Sequence, residues 1–280
     1  MTDSTHPTTI AFIGGGNMAG AIIEGMLKQG TNPATLFVID HHLPTVERWR
    51  GKGIACEQTC DARLQAADVW VLAVKPQQLA EVVGQAKPFL KPETLVVSIA
   101  AGIDLPTLSR WLGSEALPFT QVVRAMPNTP ALVQKGMTGL VATDAVSLAQ
   151  RQTVERILAS VSEVLWVESD DLIDAVTALS GSGPAYVFRF IEALISGGEQ
   201  LGLSHAQAKQ MALATLAGAT ALAAESPDTP AVLRERVTSK GGTTAAALDV
   251  LQAKGFHEAV ELAMKAAYER AGELSKALGQ

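Results

Sequence analysis

Cysteine is nearly absent from this 280-residue chain, which has only Cys56 and Cys60. The two would lie one helical turn apart in a helix. A zinc site, however, needs about four ligands, and there is no further cysteine and no histidine pair at metal-binding spacing. The adjacent His41 and His42 cannot easily converge on one ion in regular structure, so no metal site is expected. A Gly-x-Ser-x-Gly elbow and a reactive-cysteine context are both missing, which leaves covalent hydrolysis without a nucleophile. Basic excess is missing as well: 22 Lys and Arg stand against 28 Asp and Glu, a formal charge of -6. That balance argues against binding along a nucleic-acid backbone. No apolar run reaches the ~18 residues of a membrane helix. The start, MTDSTHPTTI, lacks the basic and then apolar pattern of a secretion signal. The expectation is a cytoplasmic protein with no nucleic-acid or membrane partner.

What remains is an ordinary globular composition, 48% hydrophobic and 18% charged, long enough for two domains with buried cores. The first half alternates brief Val/Ile-rich runs, TTIAFIG, LFVID, DVWVLAVKP and TLVVSIA, with segments of helical periodicity at Met18 to Lys28, Val46 to Lys52 and Leu79 to Phe89. Runs that do not alternate suit strands buried on both faces of a parallel sheet, and the rhythm is that of βαβ units. After QVVRAMPNTPAL the pattern loosens. Ser147 and Gln150 then open a helix by capping-box spacing, and EVLWV forms one more strand.

From Glu168 onward every segment reads helical. Starts fall at Ser204 with Gln207, at Thr229-Pro230 and at Thr244, and a final helix from His257 carries Val260, Ala263, Met264, Ala267, Ala271 and Leu274 on one stripe. The segment MALATLAGATALAA is apolar almost all round and should be buried on every side, with a partner subunit as its natural cover. The expected fold class is an α/β Rossmann-like dinucleotide-binding domain over residues 1–167, followed by an all-α dimerisation and substrate-binding domain over 168–280.

IAFIGGGNMAGAI places Gly14, Gly16 and Ala19 in a G-x-G-x-x-A pattern between the first strand and the first helix. There the glycines make a tight turn and let backbone meet a pyrophosphate, and the small third residue lets helix pack on strand. Asp40 ends the second strand, where an acid can bind the ribose of NADH and would repel the 2'-phosphate of NADPH. Lys75 and Pro76 stand at the carboxyl end of a buried strand, the edge where ligands bind in open α/β sheets, and Ser98 to Gly102 occupy the equivalent edge of the next one. RAMPNTPA reads as a rigid turn with Thr129 capping a helix led by Pro130.

VTSKGGTTAAAL, Val237 to Leu248, sets hydroxyls, a lysine and two glycines before a helix. Unpaired backbone N–H groups and a partial positive charge make such a start a seat for a small anion. The plainer alternative is a loop capped by Thr243 or Thr244. SGSGPAY, Ser180 to Tyr186, repeats the arrangement. Neither stretch holds a strong acid or base, which suggests orientation rather than proton transfer.

Taken in order, AFIGGGNMAGAI, AVKPQ, VVSIAAGI, RAMPNTPAL, DAVTALSGSGPAYVF and VTSKGGTTAAAL resemble the pyrroline-5-carboxylate reductase family across essentially the whole chain. The resemblance implies a Rossmann domain followed by a helical dimerisation domain, often assembled into rings of dimers. It also implies reduction of 1-pyrroline-5-carboxylate to L-proline by hydride from NADPH or NADH. The cofactor would lie along Gly14, Gly16, Asn17, Met18, Asp40, Ala73, Lys75, Pro76 and Ala100. Ser239 and the backbone at Gly242 and Thr243 would hold the substrate carboxylate, and Thr244, the expected catalytic residue, would bond the ring nitrogen. A cyclic imine can take its proton from water, which fits the absence of a dedicated acid. Two positions depart from the family pattern: Lys240 stands where proline is common, and Cys60 where many members carry asparagine. The alternatives are a β-hydroxyacid-dehydrogenase-like or other imine-reducing oxidoreductase, or a non-enzymatic dinucleotide sensor. The first lacks its family's lysine and asparagine in SGSGPAYVFRF, and the second has no need of TSKGGTT.

Overall fold

The computed structural model describes residues 7–279, and they form two compact units. One runs to Ser182 and takes back the chain from Ala267; the other is Gly183–Ala266. The first unit holds an eight-stranded sheet of β1 (Ile10–Ile13), β2 (Leu36–Ile39), β3 (Ala55–Glu57), β4 (Val69–Leu72), β5 (Leu95–Ser98), β6 (Val122–Pro127), β7 (Gly136–Ala142) and β8 (Ser162–Trp166). Their spatial order is 3-2-1-4-5-6-7-8. The first six strands are parallel, β7 runs antiparallel to β6, and β8 is parallel to β7. The order 3-2-1-4-5-6 is that of the doubly wound dinucleotide-binding fold, with the switch point between β1 and β4.

Six helices accompany the sheet: α1 (Asn17–Lys28), α2 (Leu43–Arg50), α3 (Pro76–Ala86), α4 (Leu105–Leu112), α5 (Leu148–Leu158) and α6 (Asp171–Val176). The strands β1, β2, β4 and β5 are buried at all four positions. Alternate residues feed the two faces: Ile10 and Phe12 pack with Ile22 of α1 and Trp49 of α2, while Ala11 and Ile13 pack with Leu79 of α3 and Leu108 of α4. The unbroken apolar runs exist because both faces are covered.

Three strands go beyond the sequence reading. β3 is a three-residue edge with one buried side chain, β7 is broken by two glycines, and β6 carries Arg124 in its middle. That arginine's side chain is 4% exposed, and its charge is answered by Asp170 at 2.8 Å and Asp174 at 3.2 Å. Asp170 also accepts the Leu105 N–H at 2.8 Å. These bonds tie α6 to the sheet, so the compact unit ends at Ser182 and not at the expected 167. Thr129 does not cap a helix as expected. It lies inside a 3-10 turn, Thr129–Val133, with Asn128 in the cap position and its side chain committed elsewhere.

The second unit is helical: α7 (Gly183–Gln200), α8 (His205–Glu225), α9 (Pro230–Arg236), α10 (Thr243–Ala253) and most of the first half of α11 (Phe256–Leu278). Ser204 and Gln207 form the expected capping box of α8, and the Thr229 side chain caps α9. The expected all-round burial of MALATLAGATALAA is not met within one chain. Only Ala208 and Ala212 of α8 are buried, because α8 has little beyond α7 to pack against. No helix among the described residues is long and apolar enough to cross a membrane.

Burial pushes the Asp174 carboxyl above the usual carboxylate range, with the Arg124 charge opposing the shift. A raised folded-state value means that this group favours folding at low pH and loses that contribution as pH rises through the folded value. At neutral pH the three-membered cluster therefore depends on Arg124. Replacing Arg124 by Met leaves two carboxylates facing each other and should cost ~3–5 kcal/mol, lowering Tm by roughly 10 °C at pH 7. Asp174→Asn removes the charge whose burial is costly and should lower it less. Equal losses, or a Tm for Arg124→Met within about 2 °C of the parent, would contradict this account of the cluster.

Candidate active site

The turn after β1 comes so close to β4 that no side chain fits. Gly14 has φ +101°, and a Cβ there would lie 2.7 Å from the carbonyl carbon and oxygen of Ala73. Its N–H donates to Ile39 O at 2.7 Å, and Ala73 N–H donates to Ile13 O at 2.8 Å, so the turn is held between β2 and β4. Gly15 is pinned on both sides. Its N–H donates to Asp40 Oδ2 at 2.8 Å, and its C=O accepts from Arg48 Nη2 at 2.9 Å and Trp49 Nε1 at 3.3 Å. Gly16 has open space where a Cβ would be and occupies the N-cap of α1, where no side chain caps the helix. A rigid turn, an open glycine and free helix-start amides fit a pyrophosphate.

Beside the turn lies a groove of about 380 Å³ whose lining includes Gly14, Gly16, Asp40, Cys60, Ala73 and Lys75. It thus gathers five of the nine expected cofactor residues. Pro76 begins α3 directly after Lys75, and Asn17 and Met18 begin α1. Ala100 is buried just past β5 and does not line the groove. Asp40 carries more than the ribose reading assigned it: its second oxygen accepts the His42 N–H at 2.8 Å, so the carboxylate braces the glycine turn as well as facing the groove. Burial pushes the Cys60 thiol up, with the neighbouring Asp61 adding to the effect, and burial pushes Cys56 to about 11. At neutral pH both thiols are protonated and poor nucleophiles.

In the second unit, the TSKGG loop closes on itself before α10. Gly242 N–H donates to Ser239 O at 3.0 Å, and Gly241 has φ +71°. A Cβ on Gly242 would run into the Ser239 hydroxyl, so the glycine keeps that hydroxyl at the helix mouth. Neither Thr243 nor Thr244 caps the helix. Gly242 takes the N-cap without any side-chain bond, which corrects the plainer reading of this loop and leaves the first-turn amides to a ligand or water. Thr243 is exposed and Thr244 half-buried.

SGSGPAY is different. Thr177–Gly181 form a π-helical turn, and Ser182 N–H already bonds to Thr177 O at 2.8 Å, so Ser180 to Ser182 are not the free helix start expected. Sequence reasoning also missed Gly15, Arg48, Trp49 and Asn128. Asn128 donates to Ser180 O and accepts the Met137 N–H. Its only signal was its position between two prolines.

The fold, the pinned glycine turn and the groove at the switch point define a dinucleotide-binding oxidoreductase. The chain belongs to the pyrroline-5-carboxylate reductase family. Residues 170–274 match the family model described as pyrroline-5-carboxylate reductase dimerisation, and residues 9–102 match one described as NADP oxidoreductase, coenzyme F420-dependent. Pyrroline-5-carboxylate reductase from Pseudomonas aeruginosa is 46% identical over 97% of this chain and 98% of its own, and that from Pisum sativum is 37% identical over 95% and 96%. Among solved structures, the reductase from Coxiella burnetii superposes with a TM-score of 0.89 at 41% identity, covering 96% of this chain and 99% of its own. The Plasmodium falciparum enzyme, described with NADP bound, gives 0.83 at 29% identity, covering 96% and 98%.

A methyl group at Gly14 would meet the Ala73 backbone and a strained φ at once. Gly14→Ala should therefore weaken NADH and NADPH binding alike by at least about tenfold, or ~1.4 kcal/mol, measured by quenching of cofactor fluorescence. Unchanged affinity for either would show that the turn is not the cofactor's seat.

Proposed function

We propose that this chain reduces 1-pyrroline-5-carboxylate to L-proline by hydride transfer from NADH or NADPH, with the cofactor in the groove beside the glycine turn and the substrate at the loop before α10. When bound, the cofactor supplies the hydride from its nicotinamide. The residues of this chain supply position. The first-turn amides of α1 and the open backbone of Gly16 receive the pyrophosphate, Asp40 and Cys60 face the adenosine side, and Lys75 and Pro76 border the groove from β4.

Substrate handling follows from the uncapped mouth of α10, the observation that carries this reading. The Ser239 hydroxyl and the N–H group of Thr243 receive the carboxylate, while the Gly242 N–H expected to join them is already taken by Ser239 O and shapes the loop instead. Thr244, one residue into the helix, meets the ring nitrogen. Reducing a C=N bond adds hydride at carbon and a proton at nitrogen. A hydroxyl that accepts from the protonated nitrogen and donates to the amine formed after transfer can follow both states. The proton comes from water, and no group with a displaced acidity is needed.

The chain also carries its own means of association. Its helical unit exposes Phe188 and Leu222 and the small-residue surface of α8, and the matched family model is one of dimerisation. A second copy covers these faces by an isologous contact. Further assembly into a ring of dimers extends the same reading.

Thr244→Ala should lower kcat/KM roughly ten- to a hundredfold, the equivalent of ~1.5 to 3 kcal/mol for a charge-assisted bond. Because Thr244 caps nothing, Tm should stay within about 2 °C. Ser239→Ala should instead raise substrate KM with kcat little changed, since the carboxylate keeps its charge through the reaction. Normal kcat/KM for Thr244→Ala would take this threonine out of the chemistry. For the cofactor, Asp40→Ser should lower efficiency with both nucleotides, because the Gly15 brace is lost. It should still raise the NADPH:NADH ratio of kcat/KM by removing a negative charge from the 2'-phosphate position. An unchanged ratio would leave Asp40 a structural brace alone.

A further inference from the structure

The groove beside the glycine turn is charged unevenly along its length. Among its described lining residues, Lys75 and His41 are the two that can carry positive charge, against the carboxylates of Asp40 and Glu81. Lys75 follows β4 and His41 follows β2, with β1 between those strands, so the strands that lead to them lie about 10 Å apart. The end of the groove at Asp40 is left to His41.

An arginine near this strand end is the usual receiver of a 2'-phosphate. Between β2 and β4 the chain has three arginines and one lysine, and all four are committed elsewhere. Arg48 donates to Gly15 O and stacks on Trp49. Arg50 donates twice to Cys56 O, at 3.0 and 2.7 Å, and pairs with Glu57 at 3.3 Å. Lys52 pairs with Glu24. Arg63 pairs with Asp61 and Glu57 and lies over the Phe37 ring. His42 is engaged as well: its Nδ1 lies 3.1 Å from Thr45 Oγ1, and it does not line the groove.

His41 differs from all of these. Its backbone is fixed at the groove, because Gln58 Nε2 donates to His41 O at 3.0 Å and the Asp40 N–H before it donates to Glu57 O at 3.0 Å. Its ring is 86% exposed and lies 3.9 Å from Asp40 Oδ1. A fixed Cα and an exposed ring let the imidazole turn to a group seated at Asp40. A 2'-phosphate there would add roughly two negative charges beside that carboxylate.

We infer that His41 decides the choice between NADH and NADPH: with its ring protonated it receives the 2'-phosphate, and with its ring neutral the groove favours NADH. This rests on the cofactor seat in the functional reading above. The other titratable groups around this groove are Asp40 at the end of β2, Cys60 after β3, Lys75 after β4 and Glu81 of α3, with Glu57 of β3 held by Arg50 and Arg63. None of them supplies positive charge beside Asp40. Histidine is the side chain whose charge changes between pH 5 and 8, so NADPH binding takes up a proton at His41 and tightens as pH falls.

The test measures Kd for NADH and NADPH by quenching of cofactor fluorescence at about pH 6 and about pH 8, on the parent, His41→Gln, His41→Arg and His42→Gln. NADPH should bind the parent about three- to fivefold more tightly at the lower pH, the worth of one exposed ion pair, while NADH changes by less than about twofold. The 2'-phosphate itself takes up a proton over this range, so the comparison with His41→Gln isolates the share of the ring. His41→Gln should lose the gain, His41→Arg should hold NADPH tightly at both pH values, and His42→Gln should behave as the parent. A parent with no gain at the lower pH, a His41→Gln protein that keeps the parental gain, or a loss confined to His42→Gln would overturn the inference. Folded parent that binds neither nucleotide would instead overturn the cofactor seat of the functional reading.

Discussion

The backbone of Gly15 is the fixed point of the cofactor half. Its N–H is taken by Asp40 and its C=O by Arg48 and Trp49, so the turn after β1 is tied to the end of β2 and to α2 at once. With the peptides on both sides of Gly15 held, Gly14 sits against the Ala73 backbone and Gly16 presents open backbone beside the groove. The turn is braced by the protein's own hydrogen bonds, which is the condition for turning binding energy into alignment. Arg48 stacks over the Trp49 ring with its guanidinium 4.3 Å from the centroid, so the group that holds the carbonyl is itself held.

The second constraint is β6. A buried arginine in a central strand is costly unless its charge is answered, and here two carboxylates from α6 and its N-cap answer it. The same strand face then meets Gly181 through Met126 and reaches Ser180 through Asn128. One strand thereby secures the sheet and shapes the irregular turn at its carboxyl edge. The chemistry asked of the molecule suits this economy: with a proton available from water and a hydride from the cofactor, geometry is the main contribution the protein must make.

Much of this was legible in the sequence. β1, β2, β4 and β5 announced themselves because burial on both faces demands unbroken apolar runs, and Gly14, Gly16, Asp40 and Lys75 because the glycine spacing and strand ends are local signals. β6 was hidden because Arg124 looks polar until its partners are seen, and they lie 46 and 50 residues further on. Arg48 and Trp49 meet Gly15 across 33 and 34 residues, and Asn128 meets Ser180 across 52. No local pattern reports such pairings. At the start of α10 the sequence left two readings open, an anion seat and a threonine cap, and only the structure decides against the cap: Gly242 takes the cap position and leaves both hydroxyls free of that duty.

The central claim is that this chain reduces a cyclic imine by orientation and a hydroxyl contact to the ring nitrogen, with no residue serving as general acid or base. The most direct measurement follows NADH and NADPH absorbance on adding 1-pyrroline-5-carboxylate, with an open-chain 2-ketoacid as control and L-proline quantified in the product. The account predicts cofactor oxidation matched one to one by L-proline and none with the ketoacid. Folded protein that binds cofactor yet oxidises none of it with the imine, or that prefers the ketoacid, would contradict it.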